Sequence, residues 1–147
     1  MKKHTIVICS SASHYEKLFP IQKKLREMGF SVVIPKTAHI MKENKNFDVN
    51  FYKTWHKDPK DYKKKRAYMD EYFKKIVKGD SILVANFEKK GIKGYIGGNV
   101  LMEMTVAYIL KKKIYILNDV DSDLSIKEEV YGVQPVFLEG NLSNLNP

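Results

Sequence analysis

One carboxylate stands alone in the second half of this chain. From Gly94 to Leu110, "GYIGGNVLMEMTVAYIL", Glu103 is the only charged side chain. The run opens on glycines and closes in Lys111, Lys112 and Lys113. Asn99 suits the cap of a helix, which would put Glu103 at the end of the first turn. On a helical wheel Glu103 falls between Ala107 and Leu110, beside the face of Val100 and Met104, so it borders packed surface. Two forces then act on it. Partial burial raises its pKa, while the helix N-terminus and nearby N–H donors favour the charged form. A carboxylate held ionised but poorly hydrated can act as a nucleophile or stabilise an oxocarbenium-like centre. A glutamate that merely complements the helix dipole would need the same residues, and both options stay open here.

The other candidates are polar residues on the neighbouring loops. Ser10 and Ser11 lie just past an apolar run, "TIVIC", and before a helix N-terminus. Hydroxyls and backbone N–H groups there suit a phosphate or a ribose hydroxyl, although an ordinary polar turn has the same composition. Asn86 and Tyr95 are candidates to touch a base or a sugar. Gly91, Gly94, Gly97 and Gly98 are half of the eight glycines, and they permit positive φ and close backbone approach to a ligand. Gly97, Gly98 and Asn99 are therefore counted with the binding residues. The G-x-G-x-x-G and Walker patterns are missing, so no dinucleotide or triphosphate site is implied. His4, His14, His39 and His56 form no ligand pattern with the single Cys9, so neither a metal nor a cofactor is expected. Cys9 reads as a small strand residue near the site. Trp55 and His56 could close over it, with core packing an equal role for Trp55.

These residues need a scaffold that brings their loops together. "TIVIC", "FSVVIP", "SILVAN" and "KIYILN" are apolar runs of strand length, and "PVFLE" suits an edge strand opened by Pro135. Between them Leu18, Ile21, Leu25 and Met28 make one helix stripe, and Met69, Tyr72, Phe73, Ile76 and Val77 another. Ser13 with Glu16, and Ser125 with Glu128, have capping-box spacing. Asp58-Pro59 starts a helix that Gly79 stops. Pro20 either kinks the first helix or marks where its regular part begins. The alternation predicts one α/β domain over residues 1–147, a Rossmann-like or flavodoxin-like three-layer fold with a mostly parallel sheet of about five strands. Ligands of such sheets bind beyond the carboxyl ends of the strands. Residues 36–57 have no clean period and read as a structureless lid or insertion.

Composition narrows the class. With 147 residues the chain can bury a sizeable core unaided, and a single cysteine fits a reducing, cytoplasmic setting. No apolar run approaches a membrane span. The net charge of +9 suits an anionic ligand, or a solvated lysine-rich surface. The lysines are scattered rather than interleaved with aromatics, so nucleic acid is not the expected partner.

The segments "IVICSSAS", "GFSVVIP", "IVKGDSILVAN" and "GGNVLMEMTVAYILKKKIYIL" together resemble the nucleoside 2-deoxyribosyltransferase-like superfamily, which includes nucleoside 5′-monophosphate N-glycosidases. In that family a Glu begins the helix after the third strand, followed by small residues, an alanine and a lysine before the fourth. Glu103, Thr105, Ala107 and Lys113 fall in those places. The likeness spans about residues 4–118 and is specific in the last forty or so. It implies attack by Glu103 on C1′ of a nucleoside or nucleotide, with Ser10 and Ser11 on sugar or phosphate, and the ribosyl group passing to water or to another base. A small-molecule nucleoside or nucleotide partner and a homodimer are expected. Where the family carries an Asp in the helix before the third strand, this chain has Tyr72; where it carries one just before the nucleophile, this chain has glycines and Asn99. The alternative is thus a catalytically silent nucleotide-binding or sensor domain of the same fold.

Overall fold

A computed structural model describes residues 2–147. Five strands form one sheet: β1 (Thr5–Cys9), β2 (Ser31–Val33), β3 (Ser81–Val84), β4 (Lys113–Ile116) and β5 (Val136–Phe137). All pairings are parallel, in the order β2-β1-β3-β4-β5. Among the described residues the α-helices are α1 (Leu18–Glu27), α2 (Lys36–Glu43), α3 (Val49–Tyr52), α4 (Tyr62–Lys78), α5 (Gly98–Ile109) and α6 (Lys127–Gly132). This is the expected three-layer α/β domain, with "PVFLE" at the sheet edge.

The apolar runs of β1 and β3 follow from cover on both faces. Successive side chains of β1 point to opposite sides. Ile6 and Ile8 pack with Leu18, Ile21 and Leu25 of α1, and Leu138 and Leu145 of the tail join them. Val7 and Cys9 pack on the other face with Tyr72 and Ile76 of α4, Val100 and Met104 of α5 and Val130 of α6. The chain leaves β1 towards β2, then crosses back to β3. The switch point therefore lies between the carboxyl ends of β1 and β3.

Several local expectations change. Residues 36–57 are ordered as α2, α3 and a 3-10 turn, Thr54–His56. Lysines and aromatics hid the period, but Ala38 and Met41 give α2 a buried side and Asp48 caps α3 through Asn50 N. A 3-10 segment, Ala12–Lys17, precedes α1, so Pro20 sits in the first turn of the regular helix, where no intrahelical N–H is lost. Neither capping box forms: Ser13 Oγ lies 3.0 Å from Ser11 Oγ, and α6 has no side-chain cap. Val77 is exposed because α4 turns that position to solvent. Asp58 does cap the turn at Pro59, and α4 stops at Gly79, whose carbonyl accepts from Lys112 Nζ.

Candidate functional site

A cavity of about 250 Å³ opens at the switch point. Ser10, Ser11 and Tyr15 reach it from the exit of β1, and Pro35 and Lys36 from the exit of β2. Lys89 and Tyr95 come from the loop after β3, and Gly97, Gly98, Asn99 and Glu103 from the start of α5. Lys53 and Trp55 from the segment between α3 and α4 close one wall, and Lys65, Met69 and Tyr72 of α4 another.

Glu103 is 5% exposed and lines this cavity. Helix α5 begins at Gly98 with Gly97 in the cap position, two residues earlier than a cap at Asn99 would set it. Glu103 is therefore in the second turn, and Asn99 is free to use its side chain otherwise. Asn99 Nδ2 lies 3.4 Å from Glu103 Oε2, and Asn99 Oδ1 accepts from Lys65 Nζ at 2.9 Å. Ala107 is buried on the same helix, whereas Leu110 is exposed past its end. Burial pushes the Glu103 carboxyl up to about 8, against the opposing pull of the Cys9 thiol, which hydrogen-bonds it, and of the Lys65 charge. The effect is mutual: burial raises the Cys9 thiol well above its ordinary value, and Glu103 adds to the rise. Cys9 is thus a protonated donor beneath the carboxylate, not a nucleophile. Tyr15 and Tyr72 are likewise raised by burial and then by Glu103 among their charged neighbours, so both keep their protons.

The predicted binding residues divide into two groups. Ser11, Tyr95, Gly97, Gly98 and Asn99 converge on the cavity with Glu103. Ser10 also lines it, but Ser10 Oγ donates to the Ala85 carbonyl at 2.6 Å, so its proton is committed to tying β1 to β3. Asn86 is not among the lining residues. Its Nδ2 donates to the Gly94 and Asn118 carbonyls at 3.0 and 2.8 Å, and its Oδ1 accepts from Asn118 N at 2.9 Å. It is a clamp holding the exits of β3 and β4 together, with no polar atom left for a ligand. Gly94 belongs to the same clamp. Its φ is +62°, and a Cβ there would stand 2.0 Å from the Asp119 carbonyl oxygen. Gly97 and Gly98 do not use positive φ. A Cβ at Gly98 would meet nothing within 4 Å. His56 is exposed, whereas Trp55 is buried.

The sequence pattern missed a group of lysines. Lys53, Lys65 and Lys89 are all partly buried around the cavity. Burial lowers each of them from its ordinary value; a neighbouring lysine lowers Lys53 and Lys89 further, and Glu103 partly restores Lys65. Lys65 was legible in retrospect. With Met69, Tyr72 and Ile76 it sits at spacings of four, three and four, on the inner stripe of α4 rather than in the solvated run around it. Lys89 had no such signal. Tyr72, at the register of the family's Asp, donates its hydroxyl to the Ile8 carbonyl.

Among the described residues no cluster of metal-ligating side chains occurs, and no helix is long and apolar enough to cross a membrane. Comparison of the chain with family models, with curated proteins and with solved structures finds no match. The chemistry of the cavity itself therefore carries the functional assignment. Chemically it offers one buried carboxyl, several protonated hydroxyl and amide donors, aromatic walls and an excess of cations.

Proposed function

We propose that this cavity cleaves the N-glycosidic bond of a nucleoside or nucleoside 5′-monophosphate, or transfers its (deoxy)ribosyl group, with Glu103 as nucleophile, as in the nucleoside 2-deoxyribosyltransferase-like superfamily that the sequence resembles. The observation that carries this reading is the single buried carboxyl of α5 at the switch-point cavity, with Asn99 and Cys9 as hydrogen-bonding neighbours. The ionised Glu103 oxygen attacks C1′ and a C1′–O bond forms. The C1′–N bond breaks, its electron pair leaving with the base, which takes up a proton. Water, or a second base, then adds to C1′ and the carboxylate departs with the electrons of the C1′–O bond. Tyr95 and Trp55 supply aromatic surface for the base, and Ser11 a hydroxyl for the sugar.

The raised pKa has a consequence for this chemistry. With a value of about 8, Glu103 is mostly protonated at pH 7. The nucleophilic form increases with pH, and the Lys65 charge favours it.

One observation favours a second reading, a nucleotide-binding or sensor domain without turnover. The wall of α4 presents no second buried carboxyl to assist the leaving base. Tyr72 is tied to Ile8, and Glu71 is exposed and lies 3.6 Å from Lys75. Incubation with nucleosides and 5′-monophosphates of the common bases, followed by chromatography of free base, separates the two. Base release supports cleavage. Tight binding with intact ligand throughout the panel gives the assignment to the sensor.

A further inference from the structure

We infer that Lys53, Lys65 and Lys89 form a phosphate cradle, so that the ligand of this cavity is a phosphomonoester rather than a neutral nucleoside. The inference rests on the nucleoside reading above and narrows its substrate class. The three lysines come from separate segments: the end of α3, the second turn of α4 and the loop after β3. Each is partly buried at the same cavity. Contacts hold Lys65 and Lys89 in place without neutralising them, and Lys53 stands close enough for the Lys65 charge to act on it. Lys65 Nζ donates to Asn99 Oδ1 at 2.9 Å and lies 5.6 Å from the centre of the Trp55 ring. Lys89 Nζ donates to Ser11 Oγ at 3.1 Å and lies 5.1 Å from the centre of the Tyr95 ring. Among the described residues none of the three is ion-paired with a carboxylate.

Clustered cations that are partly removed from water repel one another, and an anion placed among them relieves that repulsion. Here five lysines and two glutamates line one cavity, and one of those glutamates, Glu71, is occupied by Lys75. That leaves Glu103 alone against Lys36, Lys53, Lys65 and Lys89. A neutral nucleoside would leave this excess uncompensated and less hydrated than before. A phosphomonoester brings about two negative charges and three acceptor oxygens. The Ser11 hydroxyl and the first N–H groups of the twelve-residue helix α5, at Gly98 and Asn99, border the same space and suit the same group. Lys89 already touches Ser11, and Lys65 already touches Asn99, so cations and neutral donors are arranged as one surface.

Calorimetric titration tests the cradle. The proteins are the wild type, Glu103→Gln, the single variant Lys53→Gln and the triple variant Lys53→Gln/Lys65→Gln/Lys89→Gln. The probes are nucleosides of the common bases, their 5′-monophosphates, and inorganic phosphate. Monophosphates are expected to bind wild type and Glu103→Gln at least about 30-fold tighter than nucleosides, the effect of one or two charge-assisted hydrogen bonds. The preference should shrink in Lys53→Gln and fall to within about threefold in the triple variant, whose folding is checked by circular dichroism. If the triple variant does not fold, the single variant decides: an unchanged preference there overturns the cradle. Equal affinity of wild type for both ligand classes also overturns it. Inorganic phosphate binding as tightly as the monophosphates would assign the lysines to free phosphate and overturn the phosphomonoester. The cleavage reading fails separately. A phosphate preference without base release leaves the cradle standing, and equal release from nucleosides and monophosphates leaves cleavage standing without it. Binding of no probe overturns both.

Discussion

Replacing Glu103 by Gln should stabilise this protein, and more so as pH rises. Burial raises the carboxyl from 4.5 to about 8, so the folded chain holds that proton more tightly than the unfolded chain does. The sign follows directly. The stability associated with the protonated group is fully present below pH 4.5 and is lost progressively as pH climbs to about 8. A gap of this size corresponds to a ceiling of about 5 kcal/mol. Local relaxation and water entry reduce what a melt will register to about 2–3 kcal/mol. Gln has the size and hydrogen-bonding capacity of the protonated acid and cannot ionise. The two proteins should therefore unfold at nearly the same urea concentration at pH 4.5. At pH 9 the variant should lead by about 2–3 kcal/mol, or roughly 5–10 °C in Tm. His14, whose shift does not involve Glu103, is common to both proteins and largely cancels in the difference. A difference that stays flat from pH 4.5 to 9 would refute the claim that Glu103 is buried and proton-loaded.

Other consequences can be checked singly. Gly94→Ala should cost about 3 kcal/mol or more in a denaturant melt, because φ is +62° and the new methyl meets the Asp119 carbonyl, a backbone atom that cannot step aside. The pH profile of kcat/KM for base release should rise towards a pKa near 8 if Glu103 attacks as the carboxylate; a profile falling over that range would make it a proton donor instead. Binding to DNA or RNA should be weaker than micromolar at physiological salt despite the net charge of +9, and a tighter, steeply salt-dependent affinity would show otherwise.

The parallel strands and the place of the cavity beyond their carboxyl ends were legible because strands buried on both faces have no polar interruption, as in Ile6 to Cys9. The start of α5 was legible to within two residues, and Glu103 stood out because its neighbours carry no charge. The segment 36–57 was not legible, because its elements are short and bury little: α2 buries Ala38 and Met41, α3 no side chain, and the 3-10 turn Trp55. Asn86 illustrates a different limit. An asparagine beyond a strand in such a sheet suits a ligand or a loop clamp equally, and only the positions of Gly94 and Asn118 decide for the clamp. The lysines around the cavity were hidden by abundance: with 26 Lys and Arg in the chain, nothing in composition separates Lys53 or Lys89 from the solvated ones.

The most direct test of Glu103 as the attacking group is base release by wild type and Glu103→Gln, measured side by side on the same 5′-monophosphates at pH 8. Circular dichroism and urea midpoints would show that the variant is folded. The wild type should release free base, and the variant should be slower by at least about a thousandfold, since an amide oxygen is too weak a nucleophile to attack C1′. Turnover by the folded variant at the wild-type rate would contradict the assignment.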